Sequence, residues 1–183
     1  IANESLVHTF YLWHCADITS RAAKALGHTE DAVKYAQMAE EIRMAFDRTF
    51  FDEETQSCGP NGDNIFALSM GLGAEHQAQL INTVRKEIAE GTKGHVNVGF
   101  IGAKYFFEAL ARHGMNDLAY EAMNKTDFPS YGHWIAQGAT TTWEQWDGGN
   151  SRNHPMMGSG LTWFSRNLAG VQYDETQPGY RHI

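Results

Sequence analysis

Residues 29–50 carry the clearest helical period in the chain. Val33, Tyr35, Ala36, Met38, Ala39, Ile42, Ala45, Phe46 and Phe50 recur largely at three- and four-residue intervals, which gathers them on one face of an amphipathic helix. His28-Thr29-Glu30-Asp31 supplies Thr29 as an N-cap and acids for the first turn. A long helix with one apolar face needs further elements to cover that face, and the rest of the chain supplies them.

Upstream, Leu6, Phe10, Trp13, Ile18, Ala22 and Leu26 define an amphipathic helix over 4–26, stopped by Gly27. Downstream, a polar turn through Asn61-Gly62-Asp63 leads to a short apolar segment, 65–72, closed by Gly71 and Gly73. Residues 74–90 repeat the amphipathic pattern with Leu80, Ile81, Val84 and Ile88 inside. After a glycine-rich loop over 91–97, residues 99–113 read as a buried helix with Phe100, Ile101, Tyr105, Phe106, Ala109 and Leu110. A short helix follows from Asn116 to Met123. Residues 126–150 read as non-helical, and a last helix spans 154–168, closed by Gly170. Six to seven helices with short connections, and little strand signal outside 126–142, define an all-α chain built from helical hairpins.

At 183 residues the chain fits one domain with a sizeable core. Its net charge of −8 argues against nucleic acid as a partner, because phosphate binding wants a surplus of Lys and Arg. No apolar run approaches the ~18 residues of a membrane span. Cys15 and Cys58 have no metal-ligand spacing and read as buried free thiols, which leaves the compartment open between periplasmic, extracellular and cytoplasmic. The nine histidines include no HExxH or comparable metal pattern. No Gly-x-Ser-x-Gly elbow or phosphate loop occurs. The first residue is Ile and a helical pattern begins almost at once, so the chain reads as a piece of something longer.

The 126–150 stretch is too long for an ordinary connection and, with its tryptophans, too aromatic for a disordered one. Within it and just beyond, Gly138 to His154 reads GATTTWEQWDGGNSRNH. Glu144 stands between Trp143 and Trp146, with Asp147 next and Trp134 ten residues before. A carboxylate framed by flat apolar faces can hold a sugar ring and perform acid–base chemistry on it. The competing reading is a connector whose tryptophans fill the core while Glu144 faces solvent.

Gly99-Phe100-Ile101-Gly102, then Phe128-Pro129-Ser130-Tyr131-Gly132, then GATTTWEQWDG followed by Asn153-His154, occur in one order. That order resembles the catalytic domain of bacterial α-L-rhamnosidases, glycoside hydrolase family 78. The resemblance is specific over about 93–183; residues 1–92 match only as helical hairpins. It implies an (α/α)₆ toroid with the sugar site where the loops gather. About twelve helices of ~12 residues need more chain than this, so residues 1–170 are expected to be the C-terminal portion of the toroid. Residues 171–183, with Pro178-Gly179-Tyr180, are expected to lead towards a following β-domain.

The resemblance further implies an inverting hydrolysis of terminal α-L-rhamnose, with a carbohydrate as partner and no cofactor. Glu144 matches the family's general base, which has to be ionised at working pH. The family's general acid lies in an Arg-Asp-Glu motif that this sequence does not contain, so the acid is expected upstream. Asp147 is too near Glu144 in sequence to stand on the opposite face of a sugar, and takes either a supporting or a turn-forming role. His154 matches the histidine of the Asn-His motif, a sugar contact; the alternative is a helix-terminal residue bonded to a backbone carbonyl. Trp134, Trp143 and Trp146 are candidate substrate-binding walls, Trp134 and Trp146 foremost, with at least one of the three in the core. Pro155-Met156-Met157 departs from the aromatic often found after the histidine, which leaves the rear wall open. His95 reads as a surface histidine, and Glu108 as facing solvent or paired with Arg112. Two rivals remain: a toroid enzyme acting on uronic-acid sugars, for which only Lys125 and Arg152 lie nearby, and a non-catalytic carbohydrate-binding module. A partial toroid exposes apolar faces, so self-association into homo-oligomers is also expected.

Overall fold

The computed structural model describes residues 3–60, 62–172 and 174. Among these the chain is helical without a strand, an isolated antiparallel bridge joining Asp52 and Ser57. It forms two compact units, residues 1–86 and 87–183.

The first unit begins with a hairpin of two long helices, α1 (Glu4–Ala25) and α2 (Thr29–Phe50). Asn3 caps α1 by accepting from the Ser5 and Leu6 amides. At α2 the expected threonine cap is displaced by one residue. The His28 carbonyl already accepts from the Ala32 amide at 2.9 Å, so His28 takes the cap position and Thr29 is helical. Leu6, Phe10 and Phe46 are fully buried, and Phe10 meets Phe66 at 5.0 Å between ring centroids. Phe66 belongs to α3 (Asp63–Met70), the short apolar segment, which is buried everywhere except at Ser69. An all-round buried helix has to satisfy its polar members internally. Asp63 Oδ1 accepts from the Asn3 amide at 2.8 Å, and Asn64 Oδ1 accepts from the Ser57 hydroxyl and the Cys58 amide. Burial pushes the Asp63 carboxyl above its usual range, with the Asn3 amide pulling the other way. Both cysteines are free, but only Cys58 is buried, its thiol pushed up to about 12 by burial; Cys15 is exposed on α1. Helix α4 (Ala74–Lys86) places His76 between Asp47 and Glu53, its ring stacked on Phe51 at 4.2 Å.

The second unit opens on a π turn, Glu87–Gly91, so the span read as one helix over 74–90 is α4 followed by a change of helical type. Helix α5 (Gly99–Arg112) buries Ala103, Phe106, Phe107, Ala109 and Leu110, whereas Phe100, expected inside, is exposed. Glu108 pairs with Arg112 at 3.0 Å and also accepts from Asn167. Helix α6 (Asn116–Asn124) follows, and a six-residue helix, α7 (Tyr131–Ala136), lies inside the stretch read as non-helical. The last helical span is composite: a 3₁₀ turn (Pro155–Gly158), α8 (Ser159–Trp163) and a π turn (Phe164–Leu168). Trp163, 1% exposed, anchors it by packing on Phe107 and donating to Asn116 at 2.9 Å. The exit segment expected over 171–183 lies, apart from Val171, Gln172 and Asp174, outside the described residues.

Candidate active site

The Gly138–His154 segment is a loop that returns on itself. The Glu144 amide donates to the Ser151 carbonyl at 2.8 Å, and the His154 amide to the Thr142 carbonyl at 2.7 Å. The Thr142 hydroxyl donates to the His154 carbonyl, and the Thr141 hydroxyl to that of Arg152. Threonine is suited to this work, since its short branched side chain bonds backbone without much loss of rotamer freedom. These bonds hold both arms of the loop in register, with Glu144 on one and His154 on the other.

At the tip, Asp147 Oδ1 accepts from the Gly149 amide at 3.0 Å, an Asx turn in which the aspartate closes the loop. Gly148 has φ +81°, and a Cβ there would lie 2.8 Å from the Trp143 ring. The position therefore needs glycine both for its backbone and for the closeness of the indole. Arg152 covers Trp143 at 4.8 Å from the ring centroid and donates to the Gly148 carbonyl.

The loop rests on aromatic rings. Trp134, from α7, packs at a tilt 4.4 Å from Trp146 and 5.8 Å from Trp143, and its indole N–H donates to the Trp146 carbonyl at 2.9 Å. Tyr131 meets both Trp134 and Trp146 edge-on and donates from its hydroxyl to the Met157 carbonyl at 2.7 Å. Burial pushes the Tyr131 phenol above its usual range, so it stays a donor. Trp134 is 2% and Trp143 6% exposed. Trp134 and Trp143 are thus buried against one another beneath the turn, while Trp146, the third indole of the cluster, is partly exposed.

Glu144 is half-buried. Its Oε2 accepts from the Ser151 amide at 3.2 Å and its Oε1 from the Asn150 side chain at 3.4 Å. The side chain thus points neither into the core nor loosely into solvent; two donors from the returning arm aim it. His154 caps the 3₁₀ turn through its backbone, without a side-chain capping bond, and its Nδ1 is buried with no hydrogen-bond partner among the described residues. The helix-terminal reading, a ring bonded to a backbone carbonyl, is therefore not met by Nδ1. His95 is not a plain surface histidine: only 12% of its side chain is exposed. Its Nδ1 meets the Pro129 carbonyl at 2.8 Å and its Nε2 Asp127 at 3.2 Å, which fastens the segment entering α7. Sequence separation of 34 residues hides that tie.

Among the described residues no cluster of three or more His, Cys, Asp or Glu side chains is arranged to hold a metal ion, and no helix is long and apolar enough to cross a membrane.

Residues 2–168 match the model for the bacterial α-L-rhamnosidase six-hairpin glycosidase domain. The chain belongs to that family, and its fold is part of an (α/α)₆ toroid. It is 30% identical, over 97% of its length, to an α-L-rhamnosidase of Alteromonas sp. (strain LOR), and 30% identical, over 98%, to one of Streptomyces avermitilis. It spans 20% and 18% of those two proteins, so it corresponds to about a fifth of the relatives it matches. Among solved structures it is similar to the Streptomyces avermitilis α-L-rhamnosidase complexed with L-rhamnose (TM-score 0.85, 30% identity, 96% of this chain and 18% of that one). It is also similar to the α-L-rhamnosidase from Dictyoglumus thermophilum (TM-score 0.81, 31% identity, 89% of this chain and 19% of that one).

Proposed function

We propose that the protein containing this chain hydrolyses terminal α-L-rhamnosides with inversion, and that Glu144 is its general base. The single observation that carries this reading is the aimed carboxylate of Glu144, half-buried on a loop backed by three indoles, in a chain of this family. A base for inverting hydrolysis needs a fixed carboxylate with one side free to hold water. The Ser151 and Asn150 donors fix it from the returning arm. The acid that protonates the leaving oxygen stands about 6.5–9.5 Å away in such enzymes. No Arg-Asp-Glu occurs in this chain, and Asp147 is engaged in its own turn, so the acid is contributed by another part of the complete protein. Trp146 gives the sugar a partly open indole, and His154 lies on the arm facing Glu144 as a sugar contact. Residues 1–170 are the toroid's C-terminal portion.

The uronic-acid alternative asks for a free cation near the site. Lys125 pairs with Glu121 at 3.1 Å and Arg152 is committed to Trp143 and the Gly148 carbonyl, which weighs against it. The test is turnover of aryl glycosides by the complete protein, followed by proton NMR of the first sugar released. Release of β-L-rhamnose from an α-L-rhamnoside is expected. Preference for a uronide, or rhamnose binding without hydrolysis, contradicts the reading, the latter in favour of a binding module.

A further inference from the structure

Phe100 is the large apolar side chain on α5 that burial leaves unexplained. It is 38% exposed, whereas Phe106 and Phe107 on the same helix are fully buried. Gly99, with φ +64°, turns the chain just before it, a backbone that a residue with a Cβ adopts only under strain. Phe100 meets the His154 ring at 5.0 Å between centroids and 65° between planes, an edge contact across 54 residues of sequence. Edge-to-face pairs hold orientation as well as bury area.

The backbone of His154 is tied on both sides: its amide donates to Thr142, and its carbonyl accepts from the Thr142 hydroxyl and the Met157 amide. Its ring is not tied in the same way, since Nδ1 has no hydrogen-bond partner among the described residues. An imidazole on a fixed backbone without a bond at Nδ1 is oriented by what packs against it. From this geometry we infer that Phe100 is the positioning residue for His154, holding the imidazole at the angle from which it meets the sugar. The inference rests on the proposed function, in which His154 touches substrate.

The experiment is a double-mutant cycle in the complete enzyme, using Phe100→Ala, His154→Ala and the pair, with Phe100→Tyr as the conservative variant and thermal melting as a folding control. Phe100→Ala is expected to lower kcat/KM for an aryl α-L-rhamnoside by about tenfold or more. On the His154→Ala background the same change is expected to cost less than about twofold, because the ring it positions is gone. Phe100→Tyr keeps the edge contact and is expected to restore most of the loss. Independent, multiplicative losses overturn the assignment, as does a Phe100→Ala enzyme with wild-type kcat/KM. A fall in melting temperature that accounts for the loss in both backgrounds also overturns it. Glu144→Gln measured in parallel separates the two claims: wild-type turnover by that variant sinks the functional reading, while additivity of Phe100 and His154 sinks this inference alone.

Discussion

The α1–α2 hairpin and the Gly138–His154 loop solve the same problem, holding a backbone in one place, by different means. In α2 the backbone bonds within itself, and the buried members of the pattern, Ala39 and Phe46, simply dock its face. The loop has no such ladder. It is held by threonine hydroxyls, two cross-arm amides and a platform of Tyr131 and Trp134 from α7, against which its own Trp143 packs. A helix spreads its stability over many equivalent residues, whereas the loop concentrates it in a few. That concentration is what allows a carboxylate to be aimed on irregular backbone, and it makes those few residues costly to change.

The largest expected effect follows directly. Trp134→Ala removes the central ring of the platform and its bond to the Trp146 carbonyl, and should destabilise the protein by about 3–5 kcal/mol in denaturant unfolding. A loss below about 1 kcal/mol would break the contrast, since the loop would then stand without its support. Gly148→Ala comes next, combining a positive φ with a contact at 2.8 Å to Trp143. It should cost about 1–3 kcal/mol and lower activity with it, read by melting and turnover together.

The smallest effect belongs to the hairpin's side of the comparison. Hydrogen bonding to Asp47 holds His76 above its usual pKa; burial opposes this, and the hydrogen bond to Glu53 adds to it. A raised pKa in the folded state means that this stabilisation is complete below the unfolded value of about 6.5 and fades as pH rises through the folded value. Melting temperature should therefore drop by about 1–2 °C more between pH 6 and 9 in the wild type than in His76→Gln. Equal slopes would show that this clamp does not contribute.

The same division governs what could be read from the residues. Helices α1, α2, α5 and α6 were legible because three and four residue spacing is a local signal. Helix α7 was not: six residues from Tyr131 to Ala136, with Gly132 inside, are too few to display a period. The last helix read as uniform because its 3₁₀, α and π parts share one apolar pattern and differ only in bonding. At the candidate site, type and order single out Glu144, Trp146, Asp147 and His154 as proposed site residues. The division of the tryptophans into buried rings and a partly exposed one could not be read this way, since an indole buried beneath a loop and one facing a ligand have the same letter. The ties from His95 to Pro129 and from Phe100 to His154 depend on folding across 34 and 54 residues, where no local pattern exists.

The most direct test of Glu144 as the aimed base pairs turnover with binding in one variant. Glu144→Gln in the complete enzyme keeps the side-chain shape and an acceptor oxygen for Ser151 while removing the base. The account predicts a fall in kcat of about 10³-fold for an aryl α-L-rhamnoside, with the dissociation constant for L-rhamnose within about threefold of wild type. A Glu144→Gln enzyme that turns over near the wild-type rate would contradict it.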